Sequence, residues 1–220
     1  MLPDWVAPVA LQMSRGLLIT AQIAVVSILG SCALGLVLGL LATLKVGLLR
    51  LLIGTYIELW RGLPVIVTLF FLFFGLPALG IRLTPVIASE LAITLWGSAN
   101  LAVLVRGSVE SIPRGQVEAA SAIGFNWLMR MRYIILPQAL RRLLPPSLNI
   151  IVILVQLTTI ATLLGVHDFL GVARQSIERL TLTTGDTHAI PILGSVLLVF
   201  GLVSNALNAL SRRLEGRLRV

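Results

Sequence analysis

From residue 17 to residue 42 the chain carries no charged side chain, and comparable apolar stretches recur at 64–79, 86–105, 144–164 and 189–210. An apolar run of about 18 residues or more is long enough to carry an α-helix across the hydrocarbon of a bilayer. The apolar residues come in continuous runs rather than in alternation with polar ones. Over the 220 residues, 57% are hydrophobic and 12% charged, where a soluble domain carries about 25% charged residues. Mean hydropathy is +1.00. A very apolar soluble helical bundle is the competing reading, and the length of the runs argues against it. The expected fold class is therefore all-α: a polytopic membrane protein with about five transmembrane helices, organised as one transmembrane domain over residues 1–220.

The first run is interrupted by small residues, with Gly30, Gly35 and Gly39 accompanied by Ser27, Ser31 and Ala33. In lipid such a stripe lets helix backbones approach closely, so helix packing is its expected use. The run at 64–79 is short for a span, which places the start of its helix upstream, where Glu58 and Arg61 would share a helix face and could pair. A turn-rich link with Pro77, Gly80 and Pro85 follows. Glu90 lies near the start of the third run, at the interface or, if inside the bundle, as a functional residue. Residues 106–143 break the apolar pattern and carry six arginines (Arg106, Arg114, Arg130, Arg132, Arg141 and Arg142). This loop should hold helices of its own. One starts at Pro113 and is interrupted at Gly124; a second, from Asn126 to Leu136, ends before Pro137. Residues 167–187 read as polar and turn-prone, with His167, Asp168, Asp186 and His188 expected in solvated outer loops rather than at a metal.

Charge placement gives a sidedness. The formal net charge is +8, and the cations sit between the apolar runs, which fits the positive-inside rule better than nucleic-acid binding. If the 106–143 loop is cytoplasmic, thirteen of the 17 Lys and Arg fall inside; the remainder are Arg15, Arg82, Arg174 and Arg179. The expected topology has the N-terminus outside and the C-terminus cytoplasmic. The single cysteine, Cys32, excludes a disulfide framework or a cysteine metal site. Met1-Leu-Pro-Asp-Trp5 lacks the basic start of a cleaved signal peptide, so the first span is expected to persist.

The most specific local pattern is Glu118-Ala119-Ala120-Ser-Ala-Ile-Gly124, nine residues, then Ile134-Ile-Leu136-Pro137. Small alanines leave a shallow helix surface, and Gly124 permits a sharp turn between two helical pieces. The result would be a short rigid helix able to sit in a partner's groove. This pattern resembles the EAA loop of permease subunits of ATP-binding-cassette (ABC) importers, matching it at every fixed position. Glu58-Leu-Trp-Arg61-Gly62-Leu-Pro64, Arg106-Gly107, Ser111-Ile-Pro113-Arg-Gly115-Gln116 and Leu136-Pro137-Gln138-Ala-Leu-Arg141, with Pro145-Pro146 and Asn149 beyond, are similar to the polar amino-acid subfamily (the histidine, glutamine and arginine permeases). The resemblance covers nearly the whole chain.

The resemblance implies a type I ABC importer permease: a multi-pass protein of the bacterial cytoplasmic (inner) membrane, paired with a second permease that is the same or paralogous. A cytoplasmic ABC ATPase dimer would grip the loops around Gly124, and an extracytoplasmic solute-binding protein would deliver a polar amino acid or related small solute. Glu118, Ala119, Ala120, Gly124, Ile134, Leu136 and Pro137 would carry the ATPase coupling. No cofactor is expected on this chain; ATP and Mg belong to the ATPase, and the chain has no phosphate-binding loop of its own. Neither catalytic nor metal-binding residues are expected, nor a nucleic-acid partner. The lipid bilayer is the chain's solvent.

Two stretches depart from the subfamily. Its third-span pattern is Ala-Tyr-x-Ala-Glu-x-x-Arg-Gly; here Asn100 replaces the Tyr and Val103 the Glu. In the fourth span, Gln156-Leu157-Thr158-Thr159-Ile160 replaces Lys-Asp/Asn-Thr-Ser-Leu. The lost acid and base could have paired with each other, or each could have contacted a zwitterionic solute, in which case this chain would be the non-binding half of a heterodimer. Asn100, Gln156, Thr158 and Thr159 remain candidates for lining a translocation path, with helix–helix hydrogen bonding as the other use. A regulatory or non-substrate-binding membrane subunit of a heteromeric ABC complex is the alternative function. A channel or secondary transporter would need no EAA loop. An intramembrane enzyme would need a catalytic set that the spans lack.

Overall fold

A computed structural model describes residues 3–44 and 46–218, which form an all-helical protein. Lys45 and Arg219, counted above among the inside cations, lie outside the described residues, as do Met1 and Leu2. The helices are α1 (Val6–Leu41), α2 (Gly47–Gly62), α3 (Val65–Phe70), α4 (Pro85–Glu110), α5 (Arg114–Ala122), α6 (Trp127–Arg130), α7 (Leu136–Leu157), α8 (Phe169–Thr184) and α9 (Ala189–Leu218). A π-helical turn (Phe71–Gly75) and a 3₁₀ turn (Leu76–Leu79) extend α3, a second π turn (Met131–Ile135) joins α6 to α7, and a 3₁₀ turn (Thr158–Leu164) extends α7. Among the described residues, four helical stretches are long and apolar enough to cross a membrane: Val6–Leu41, Pro85–Glu110, Trp127–Leu164 and Ala189–Gly216. Gly47–Gly62 with Val65–Leu79 makes a fifth if counted as one broken span. The break is at Leu63, whose extended backbone (φ −84°, ψ 135°) precedes Pro64, as the steric demand of a proline on its predecessor requires.

Two expectations about helix ends are corrected. The segment after Asn126 does not stop before Pro137. The π turn at Met131–Ile135 loosens the hydrogen-bond ladder upstream of Pro137, so the helix continues through a residue that has no N–H to give. Residues 167–187 are not a solvated loop either: they hold α8, sixteen residues long.

The residues pack as two compact units. The first comprises the described chain up to Ile28, Val65–Ile93 and Ile153–Ala206. Its core joins Val9 and Met13 of α1, Phe169, Val172, Ala173 and Leu180 of α8, and Ile192 and Val196 of α9. The joint is closed by the Phe169 N–H, which donates to Thr20 Oγ1 at 2.9 Å. A Cβ on Gly16 would come within 2.8 Å of the Asp168 carbonyl oxygen, so α1 needs a glycine there. His188 stacks on Trp5 with ring centroids 4.7 Å apart, and His167 is exposed.

The second unit comprises Leu29–Pro64, Thr94–Val152 and the described residues from Leu207 onward. Its packing turns on the small-residue stripe of α1. A Cβ on Gly35 would lie 2.6 Å from Leu101 Cβ, and one on Gly39 would lie 2.5 Å from Val105 Cβ. Both glycines therefore press directly on α4, as close helix contact in lipid demands. Beside them Ala42, Ile53, Ile57 and Ala102 form a buried cluster against which Val103 packs.

Candidate functional site

The 106–143 loop is built by two adjoining helix ends. Pro113 sits at the N-cap of α5 with φ −56°, a value its ring enforces. At the other end Gly124 adopts φ +85°, where a side chain would be strained. Its N–H bonds to the Ser121 carbonyl and the Phe125 N–H to the Ala120 carbonyl, both at 3.0 Å. This is the two-bond pattern of a Schellman motif, which satisfies carbonyls the helix end would leave open. Asn126 then caps α6, its Oδ1 accepting from the Met129 N–H at 2.9 Å. Only Ile123, Gly124 and Phe125 separate the end of α5 from the next cap. The turn is tied from both sides: Arg130 bonds the Ser121 hydroxyl, Gln138 bonds Gln116, and Arg142 donates to the Ser111 carbonyl at 2.6 Å.

Of the seven residues singled out in this loop, Ala120 is the buried residue of α5, Glu118, Ala119, Gly124 and Pro137 are exposed, and Ile134 and Leu136 are half-buried. The turn also displays large apolar side chains that the pattern of fixed positions does not include. Ile123 is 70% exposed, Leu128 65% and Trp127 51%. They surround Gly124 in sequence, and hydrophobic content at these positions was the available signal.

The polar groups of the spans fall into separate places. In the second unit, Arg61 does not pair with Glu58. Its Nε donates to Asn100 Oδ1 at 3.2 Å, and the Asn100 amide donates to the Trp96 carbonyl at 2.9 Å. Sharing a helix face did not suffice, because an interhelical acceptor lay within reach. Tyr56 and Ser98 share a hydrogen bond of 2.7 Å nearby in the same unit. In the first unit, exposed Gln156 reaches Ser204 at 3.4 Å, and the Thr159 hydroxyl returns to the Gln156 carbonyl. Thr158 is fully buried and its hydroxyl is used by the Val155 carbonyl at 2.7 Å.

One residue expected to be solvated is the opposite. Asp168 has no exposed surface. It is the N-cap of α8: Oδ1 accepts from the Gly171 N–H at 3.1 Å and from the Thr162 hydroxyl at 2.6 Å. Oδ2 is buried with no hydrogen-bond partner among the described residues. Burial pushes its pKa above the ordinary carboxylate value, and the hydrogen bonds from Thr162 and the backbone oppose that only in part. The sequence signal was available in Asp168 standing directly before the helix start, a preferred N-cap residue.

Against known proteins, residues 35–219 match the family described as "Binding-protein-dependent transport system inner membrane component". The chain belongs to that family. It is a permease subunit of an ABC transport system, a component of the inner membrane rather than an enzyme, and the family works with an ATPase and a solute-binding protein. It is 34% identical to the probable glutamine ABC transporter permease protein GlnP of Bacillus subtilis (strain 168), over 92% of this chain and 91% of that one. It is 31% identical to the glutamine transport system permease protein GlnP of Escherichia coli (strain K12), over 99% and 98%. Its fold matches a chain in the crystal structure of an amino acid ABC transporter with TM-score 0.81 and 25% identity, covering 97% of this permease and all of the other. A chain of the inward-facing MetNI methionine transporter shares the fold at TM-score 0.75.

Proposed function

We propose that this permease imports a polar amino acid, driven by an ATPase dimer that docks on the loop centred at Gly124. The observation that carries the docking is the exposed group Ile123, Trp127 and Leu128, held on a turn that two hydrogen bonds and an Asn cap make rigid. Apolar side chains on a polar, arginine-rich loop are costly in water and mark a surface that a partner covers. Glu118, Ala119, Ala120, Gly124, Ile134, Leu136 and Pro137 frame that surface. The ATPase binds ATP and Mg; this chain receives the movement. The relatives named for glutamine support the solute class.

In this reading the loop is cytoplasmic, the N-terminus is outside and the C-terminus inside, as the distribution of cations favours. A second permease, identical or paralogous, completes the pathway. Asn100, Gln156 and Thr159 line it, while Thr158 holds the backbone of its own helix. The test is ATP-dependent uptake of radiolabelled L-glutamine, L-arginine and L-glutamate by proteoliposomes holding the permease with its ATPase and binding protein. Accumulation of one of the three above an ATP-free control is expected. Failure to import any of them, with the complex intact, would overturn the amino-acid reading.

A further inference from the structure

The third span carries an acid whose side chain has only a neutral partner among the described residues. Glu90 lies five positions into α4, and its Oε1 accepts a hydrogen bond of 3.3 Å from Gln22 Nε2 of α1. The backbones are held together at the same level, where the Ser27 hydroxyl donates to the Glu90 carbonyl at 3.3 Å. Glu90 is half-buried and Gln22 exposed. Neither ion pair among the described residues involves Glu90; they are Arg106–Glu110 and His188–Asp186.

Depth follows from helix geometry. Gln22 is seven positions beyond Arg15, the last charge before the long apolar run, which is about 10 Å of helix. Along α4, Glu90 precedes Arg106 by sixteen positions, about 24 Å, less than the roughly 30 Å of bilayer hydrocarbon. One of these two charges must therefore lie below the membrane boundary. Arg106 has Glu110 at 2.7 Å, one turn further out. Glu90 has an amide, at a level where Gln22 is already inside the apolar run. An acid so placed belongs beside a water-filled cavity or a cation rather than lipid. The amide donor fixes one carboxylate oxygen and leaves the other to accept.

We propose that Glu90, oriented by Gln22, is a cation subsite of the translocation path that takes the ammonium or guanidinium group of the solute. This rests on the permease reading above. It gives the chain a solute contact in the third span although Val103 stands where the subfamily has its acid.

The test uses the full complex in proteoliposomes, with L-arginine, L-glutamine and L-glutamate as probes. In E90Q, uptake of whichever amino acid the wild type carries should fall by about tenfold, the loss of one charge-assisted contact. E90D, which keeps the charge, should recover most of the uptake. On the wild type, dicyclohexylcarbodiimide, an apolar reagent for carboxyl groups, should modify Glu90, and the transported amino acid should slow that modification. If E90Q fails to insert, this protection decides alone. Uptake by E90Q equal to wild type, or labelling that ignores the amino acid, would overturn the subsite and leave the permease intact. So would an E90Q complex whose two permeases separate, because Glu90 would then be an intersubunit contact. A wild type that imports none of the three amino acids would instead overturn the amino-acid reading.

Discussion

The Phe125 N–H reaches back over Gly124 to the Ala120 carbonyl at 3.0 Å, and this bond exists only because Gly124 sits at φ +85°. Nothing lies within 4 Å of where a Cβ would be, so a side chain here meets no clash, only backbone strain. Replacing Gly124 with Val should cost about 1–2 kcal/mol in that conformation and relax the turn. The expected outcome is normal insertion into membranes with ATP-coupled uptake lost. Wild-type transport by Gly124→Val would refute the role of the turn.

Asp168 allows a test by pH. Its folded-state pKa lies above the unfolded one, so the native state holds its proton more tightly. Stability from this group is therefore greatest below the ordinary carboxylate range and is lost as pH rises through the raised value. Asp168→Asn keeps an oxygen for the Gly171 N–H and removes the titration. The thermal midpoint of the purified permease should fall with rising pH in the wild type and fall less in Asp168→Asn. Asp168→Ala, which loses the cap, should be less stable than Asp168→Asn by about 0.5–2 kcal/mol at neutral pH. Identical pH profiles for wild type and Asp168→Asn would contradict the assignment.

The glycines of α1 make a steric prediction. At Gly39 the obstacles to a Cβ are Val105 side-chain atoms at 2.5 and 2.7 Å and the Ala102 carbonyl oxygen at 2.8 Å, and backbone cannot rotate away. Gly39→Leu should separate α1 from α4 and lower the yield of folded protein, by the overpacking cost of about 1–3 kcal/mol or more. Gly54→Leu, with nothing within 4 Å, is the matched control and should be tolerated. Equal yields of the two on size-exclusion chromatography would disprove the contact.

What the sequence disclosed divides by the range of the interaction. Apolar runs report a local property, helix in lipid, and they located the four long spans, whereas the helix expected to begin upstream of the run at 64–79 is broken at Leu63. The loop pattern was legible because Gly124 and Asn126 act within three or four residues of themselves. Helix boundaries were less so: a π turn that carries a helix through Pro137 leaves no compositional mark. Partners were legible least. Glu58 and Arg61 were three apart on one helix, yet Arg61 bonds Asn100 from another helix. Likewise the polarity of residues 167–187 hid that Asp168 is buried inside the first unit, because α1 supplies the covering surface from far away in sequence.

Leu128 and Trp127 offer the sharpest separation of docking from folding. Both are more than half exposed, so replacing them removes little packing within the chain, and surface changes of this kind usually stay within about 0.5 kcal/mol. If the ATPase covers them, Leu128→Asp places an unpaired charge in a buried contact, which costs far more than the lost apolar area. The expected outcome is a permease that inserts and purifies normally but retains less ATPase on affinity purification, by about tenfold or more. Leu128→Met, which keeps an apolar side chain of similar volume, should retain it. Full ATPase retention by Leu128→Asp would move the docking surface away from the turn.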